Sequence, residues 1–181
     1  MRRMSKSLDL GCGPSPSNLF RADEVFGIDI VTNNNPKIRF ADLVLDPIPF
    51  EDNFFDYVTG IDFLEHIPRI LYLGRERKQP FIDVMSEVWR VLKPGGQTFF
   101  ATPAFPHLEV FQDPQHVNII TEKTVWYFSE PVWLELCQAY GFKGRFEVIQ
   151  HLWANVPVNI SKDNWFPVIP YHLIWHLRAV K

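Results

Sequence analysis

The chemistry-bearing residues stand at the ends of apolar runs. Leu8-Asp9-Leu10-Gly11-Cys12-Gly13 carries an apolar run into a glycine turn, and Val25-Phe26-Gly27-Ile28-Asp29-Ile30 ends a second run on a carboxylate. Glycines at 11 and 13 let the backbone bend sharply and let a ligand lie against bare peptide. An ionised Asp29 can accept two hydrogen bonds from a vicinal diol such as a ribose. The pair points to a nucleoside-containing cofactor; a plain structural turn is the alternative. A dinucleotide fits poorly, because its fingerprint needs G-x-G-x-x-G opening a helix whose N–H groups face a pyrophosphate. Here Pro16 occupies the third glycine position and Pro14 removes an N–H from the turn. A nucleoside without a phosphate remains suited to it.

Further along, Asp42 and Asp46 follow a third apolar run and Asp62 follows a fourth. Asp62 could position a substrate or act as a base, or it could cap a following helix, since aspartate is a preferred N-cap. Glu65-His66 invites a metal or catalytic reading, but adjacent residues point to different faces of a helix. Packing and capping roles are therefore expected for them, and no metal. His107, Asp113 and His116 are candidate bases, histidine being the natural base near neutral pH. The bland reading of His116 is a bond to backbone that pins its loop.

The elements that must position these groups follow from periodicity. Strands are expected over 7–10, 24–30, 37–43, 55–60 and 97–101, with a short irregular or helical crossover over 14–23 and a helix over 67–73. Phe81, Val84, Met85, Val88 and Leu92 fall at helical spacing. Lys93-Pro94-Gly95-Gly96 stops that helix. Strands alternating with crossovers read as a parallel α/β sheet. Beyond it, helices are expected over 121–128 and 131–140, and strands over 146–152 and 172–180. The proline-rich link 153–170 is long for a connection and could form a flap over the site or a partner contact. Phe105, Phe111, Trp126, Tyr127, Phe128 and Trp133 could line a pocket or belong to the core.

Asp9 to Pro14, Ala41-Asp42-Leu43, Pro49 to Asp56, Leu64-Glu65-His66-Ile67 and Val88 to Gly96 resemble, in order and spacing, the landmarks of the class I S-adenosylmethionine-dependent methyltransferases. The resemblance covers roughly residues 7 to 103 and is strongest to the compact branch with a very short first crossover. It implies a three-layer Rossmann-like methyltransferase fold, mostly parallel, with an antiparallel last strand inserted between the fifth and sixth. One domain over 1–181 is expected, with a cofactor half over about 7–103 and an acceptor side with a C-terminal hairpin over about 104–181. The implied cofactor is S-adenosylmethionine. Asp9, Gly11, Cys12 and Gly13 would lie at its methionine part, Asp29 and Ile30 at the ribose, and Asp42 and the Leu43 N–H at the adenine, with Asp46 as rival to Asp42. Gly60 and Ile61 would approach the sulfonium, with Asp62 and His116 as catalytic candidates. The implied reaction is methyl transfer to a small-molecule or saccharide-type acceptor. A non-catalytic cofactor-binding or regulatory subunit is the alternative, and a nicotinamide-dependent oxidoreductase is disfavoured by Pro14 and Pro16. Because the chain begins almost at its first strand, an open site is expected, covered by the 153–170 link, a homodimer mate or a partner subunit.

Composition agrees with a folded domain. The 181 residues are 46% hydrophobic and 15% aromatic, enough for a sizeable core. A formal net charge of −3 argues against a nucleic-acid partner. Arg75-Glu76-Arg77-Lys78 reads as a solvated loop. Two cysteines, Cys12 and Cys137, make neither a disulfide framework nor a zinc motif, so a cytoplasmic setting is expected. There is no run of eighteen apolar residues, so no membrane span is expected.

Overall fold

In the computed structural model, which describes residues 3–31, 34–161 and 164–181, the first strand β1 (Lys6–Leu10) is buried from Ser7 onward. That is the signature of a strand covered on both faces. β1 pairs in parallel with β2 (Glu24–Asp29) on one side and β4 (Phe55–Ile61) on the other. β3 (Ile38–Phe40) extends the β2 edge, and β7 (Leu92–Pro103) runs parallel to β4. β11 (His172–Ala179) is antiparallel to both β7 and β8 (Phe146–Trp153). The order is β3-β2-β1-β4-β7-β11-β8, the mostly parallel sheet with an inserted antiparallel last strand that the sequence implies. Strand order reverses at β1, so the crevice between β1 and β4 opens at their carboxyl ends.

Alternation along the strands sorts two cores. On one face Leu8, Phe55, Phe100 and Trp175 pack with Phe81, Met85 and Val88 of α1 (Pro80–Val91). Phe128 of α2 (Trp126–Ser129) and Leu134 and Cys137 of α3 (Pro131–Ala139) complete that layer. On the other face Phe99, Ala101 and Ile174 are covered by Phe20, Val158, Ile160 and Phe166. The third layer is therefore the 14–23 crossover and a hairpin of β9 (Val158–Ser161) with β10 (Asn164–Phe166), not helices. Pro14 and Pro16 discourage a helix in the crossover. Asn18 closes it instead, accepting from the Ala22 N–H and donating to the Ala22 carbonyl. The Asn164 amide donates to the Leu19 carbonyl and ties the hairpin to the crossover.

Several expectations are corrected. Residues 67–73 are not helical. A single 3-10 turn, Leu64–His66, is followed by a hairpin of β5 (Leu71–Leu73) and β6 (Glu76–Lys78). Pro68 interrupts the chain, and Gly74 at φ +63° makes the turn. The charged run at 75–78 thus belongs largely to a strand. The strand expected over 37–43 ends at Phe40, because Asp42 takes the Leu45 and Asp46 N–H groups on its carbonyl and turns the chain. The helix expected over 121–128 shrinks to α2, and the 153–170 link folds over the sheet as the β9–β10 hairpin, with Phe166 against Phe99 (5.3 Å between centroids).

Gly27 is a packing requirement that periodicity does not reveal. A Cβ there would collide with Cys12 Sγ and lie 2.8 Å from Pro16 Cγ, so the glycine turn rests directly on β2. Gly27→Ala is expected to cost about 1–3 kcal/mol through overpacking, read as a lower urea midpoint. An unchanged midpoint would show that the turn does not press on the strand.

Candidate active site

The turn after β1 is bound to β2 through its own donors. Gly11 N and Cys12 N both donate to the Ile28 carbonyl (2.9 and 3.2 Å), and Gly13 N donates to Asp29 Oδ2 (2.8 Å). Gly11 and Gly13 have φ of +65° and +57°, the left-handed region that glycine enters without penalty. The donors at 11, 12 and 13 face the neighbouring strand, so they form no cradle for a phosphate, as Pro14 and Pro16 suggest. Among the described residues, a Cβ at Gly13 would meet nothing within 4 Å.

The acids sit along the same carboxyl edge. Asp29 also accepts from the Val31 N–H at Oδ1 (2.8 Å). Two of its roughly four lone-pair sites are thereby used, and the rest remain for a diol. Ala41 N donates to the Asp29 carbonyl (3.2 Å) and sets the end of β3 beside it. Asp42 Oδ1 accepts from Val44 N (3.0 Å) in a local turn, while Leu43 is buried in the core. Asp46, the rival to Asp42, lines a cavity with Leu43, Lys78, Asp83 and Arg90. Ile30 is 65% exposed. The Cys12 thiol donates to the Gly13 carbonyl (3.3 Å) and faces Gly27. Burial, then the Asp9 and Asp29 carboxylates, push its pKa up to about 11, so at neutral pH it stays an unreactive thiol. Gly60 has Phe100 and Phe63 against it, and half-buried Ile61 ends β4 beside it.

Asp62 and His116, far apart in sequence, line one cavity of about 490 Å³. Its other walls include His66, Glu109, Asp113, Tyr171 and His172. Asp62 does not cap a helix. Phe63 precedes the 3-10 turn with no side-chain cap bond. Asp62 instead adopts φ +49°, and its Oδ1 accepts from His172 Nε2 at 2.5 Å. His172 is buried on β11 opposite Pro103. It is a site residue that motif reading misses, because only the insertion of the last strand beside β7 brings it there. His116 Nδ1 lies 3.0 Å from the Val110 carbonyl. As the donor to that oxygen, it leaves Nε2 as the acceptor. His107 is not part of this cavity; it packs edge-on to Trp153 and faces another one with Phe105. The remaining aromatic candidates lie elsewhere, Phe128 in the core and Tyr127 in a cavity beside α3. Glu65 and His66 do not diverge as helix neighbours would: with His116, their ligand atoms lie within 4.8 Å of one another. Burial raises the Glu65 carboxyl above its ordinary value, opposed by the Thr102 hydroxyl.

Asp9, beneath the turn, is 5% exposed. Its carboxylate accepts from Ser17 N and from the Thr59 hydroxyl, each at 2.7 Å. Burial outweighs these bonds and pushes its pKa up to about 6 from the ordinary 3.8. The folded state therefore binds this proton more tightly than the unfolded chain, and stability falls as pH rises from about 4 to about 6, then levels. A shift of this size is worth about 3 kcal/mol at most. Asp9→Asn keeps the shape and removes the titration. Its urea midpoint is expected to decline less than wild type between these pH values; parallel profiles would refute the burial account.

Residues 2–145 match the family described as a methyltransferase domain. A demethylmenaquinone methyltransferase of Staphylococcus aureus (strain JH9) is 30% identical over 130 residues, covering 62% of this chain and 48% of the relative. The chain spans about half the length of the curated relatives it matches. Among solved structures, a SAM-dependent methyltransferase from Methanosarcina mazei aligns with a TM-score of 0.62 at 18% identity, covering 99% of this chain and 94% of that one. A Haloferax volcanii methyltransferase in complex with the Trm112 methyltransferase activator aligns with a TM-score of 0.59 at 17% identity, covering 99% and 86%. At such identities the two structures speak for the fold, whereas the family match spans most of the chain. This chain accordingly belongs to the methyltransferase-domain family, with the class I fold of S-adenosylmethionine-dependent methyltransferases.

Proposed function

We propose that the chain binds S-adenosylmethionine at the carboxyl edge of β1, β2 and β3 and transfers its methyl group to a small polar acceptor held in the Asp62–His116 cavity. The observation that carries this reading is the direct bond between the glycine turn and Asp29, Gly13 N to Asp29 Oδ2 at 2.8 Å. It sets a bare-backbone surface beside a carboxylate with spare acceptor capacity, next to a polar cavity. Asp29 would hold the ribose diol, Asp42 and the Leu43 N–H the adenine, and Gly11 to Gly13 the methionine part, with Asp9 fixing the turn from below. When bound, the sulfonium supplies an activated methyl group: the acceptor lone pair forms the new bond to carbon while the carbon–sulfur pair stays on sulfur.

The chain's own task is to align the acceptor and take its proton. Asp62, held by His172 Nε2, is placed to accept a hydrogen bond from an acceptor hydroxyl. His116 Nε2 is the second basic atom at the cavity wall. Three carboxylates and three imidazoles line this cavity, a polar lining that supports a hydroxylated, saccharide-type acceptor rather than the demethylmenaquinone in the name of the Staphylococcus aureus relative. A covering partner is a compatible second reading. Ile30 and Val31 are each 65% exposed and Phe40, on the edge strand β3, is 60% exposed, an open flank that a second copy or another subunit could cover. One structural neighbour is bound to an activator.

Calorimetry with S-adenosylhomocysteine tests the cofactor assignment. Wild type is expected to bind it, and to bind NAD more weakly. Asp29→Ala is expected to lose about 10- to 100-fold, the worth of charge-assisted hydrogen bonds. Tighter binding of NAD, or full affinity in Asp29→Ala, would overturn it. A methyl-transfer screen over hydroxylated metabolites and glycans then identifies the acceptor.

Sedimentation velocity addresses the open flank. A concentration-dependent dimer that Phe40→Asp abolishes is the result expected if a second copy covers it.

A further inference from the structure

Glu65 presents an unusual electrostatic situation. The residue is 1% exposed and Oε2 accepts from the Thr102 hydroxyl at 2.7 Å, yet Oε1 is buried with no hydrogen-bond partner among the described residues. Leaving a buried carboxylate oxygen unsatisfied is costly, and such an orphan in a folded protein calls for a partner. Two imidazoles stand beside it. His66 follows Glu65 in the 3-10 turn, and the His66 and His116 rings meet edge to face with centroids 5.0 Å apart. The ligand atoms of all three residues lie within 4.8 Å of one another.

We propose that Glu65, His66 and His116 form a binding site for a divalent transition-metal ion in the wall of the acceptor cavity. The surroundings are arranged for ligation. Metal-bound histidine characteristically gives its other ring N–H to a carbonyl or carboxylate, which fixes the ring and the tautomer. His116 Nδ1 has such a partner in the Val110 carbonyl at 3.0 Å. The segment carrying His116 is fastened to the 3-10 turn, since Val117 N and Asn118 N both donate to the Glu65 carbonyl at 2.9 Å and the Asn118 amide donates to the Leu64 carbonyl at 3.0 Å. Two imidazoles and one carboxylate suit manganese, iron, cobalt, nickel or zinc, whereas calcium and magnesium favour all-oxygen shells. An ion at about 2.1 Å from each donor would draw them to roughly 3–3.4 Å apart.

His66 and His116 both line the acceptor cavity, so the open coordination positions would face the acceptor. That the ion meets an acceptor there rests on the functional reading above; that the chain binds the ion does not. A bound acceptor hydroxyl would have its pKa lowered. With the ion bound, His116 Nε2 is a ligand and no longer a base, so the proton would leave to Asp62 or to solvent, and the oxygen would keep the electron pair for the methyl carbon, with no change of oxidation state. Acceptors with two adjacent hydroxyls, able to chelate, form the favoured class.

Titration of chelator-stripped protein with Co²⁺, followed by visible absorption and calorimetry, tests the site. One ion per chain is expected, displaced by Zn²⁺. His66→Gln and His116→Gln are each expected to weaken binding at least tenfold, while His107→Gln, outside the cluster, is expected to bind as wild type. Glu65→Gln is expected to behave like the histidine variants; circular dichroism checks its fold, and if it does not fold the two histidine variants decide. Absence of stoichiometric Co²⁺ binding by folded wild type, or equal affinity in the histidine variants, overturns the site. S-adenosylhomocysteine titrated into the same metal-free samples separates the two proposals. Nucleoside binding without Co²⁺ binding sinks the metal site alone, and the converse sinks the cofactor assignment alone.

Discussion

A buried carboxylate organises the carboxyl edge of the sheet. Asp9 lies near the end of β1, and its two oxygens reach in opposite directions, to Ser17 N in the crossover and to Thr59 on β4. Water is nearly excluded, so each bond is worth more than it would be at the surface, and losing either would leave one buried carboxylate oxygen without a partner. Three pieces of chain are thereby held at the point where strand order reverses. The glycine turn above Asp9 inherits its position from that anchor, and Asp29 joins the same assembly through Gly13.

The two faces of the sheet are covered by different means. Helix α1 buries Phe81, Val84, Met85, Val88 and Val91 on one side, the amphipathic solution that helical spacing announces. The other side carries Phe99, Ala101 and Ile174 and needs an apolar cover equally. It obtains one from a hairpin late in the chain and from Phe20, which stacks on Tyr57 with centroids 4.3 Å apart. A crossover with Pro14 and Pro16 is a poor helix but an adequate lid for a strand face. Its brevity leaves the β2–β3 flank apolar and exposed.

The Asp62–His116 cavity is assembled from stretches far apart in the sequence. Asp62 directly follows β4, the 3-10 turn supplies His66, the segment after β7 supplies Glu109, Asp113 and His116, and β11 begins with His172. Its polar groups are partly paired within the protein: Asp62 with His172, and His116 with a carbonyl. Such pairing holds each side chain in one orientation and leaves a second polar atom for a ligand, which is how a positioned site differs from a solvated cluster.

Much of this was legible in the residues themselves. Glycines that must take positive φ, carboxylates closing apolar runs, and the i, i+3, i+4 spacing of α1 are local signals, because backbone sterics and one-sided burial act within a few residues. Pro14 and Pro16 likewise argue against a phosphate site without reference to any contact. The register of the last strand is a different matter. Its place between β7 and β8 depends on which edge remains unpaired once the parallel strands have assembled, and that placement brings His172 to Asp62 across 110 positions of sequence. The helix expected over 67–73 gives way to the Leu64–His66 turn and a hairpin, because Pro68 and the tie of Val117 and Asn118 to Glu65 act against local propensity. Residue types and spacing determined the glycine turn after β1 and the carboxylates at the strand ends, since that geometry is written in the backbone. Tertiary packing alone decided the convergence of Glu65, His66 and His116 and the Asp62–His172 pair, since these arise where distant segments meet and no local rule links them.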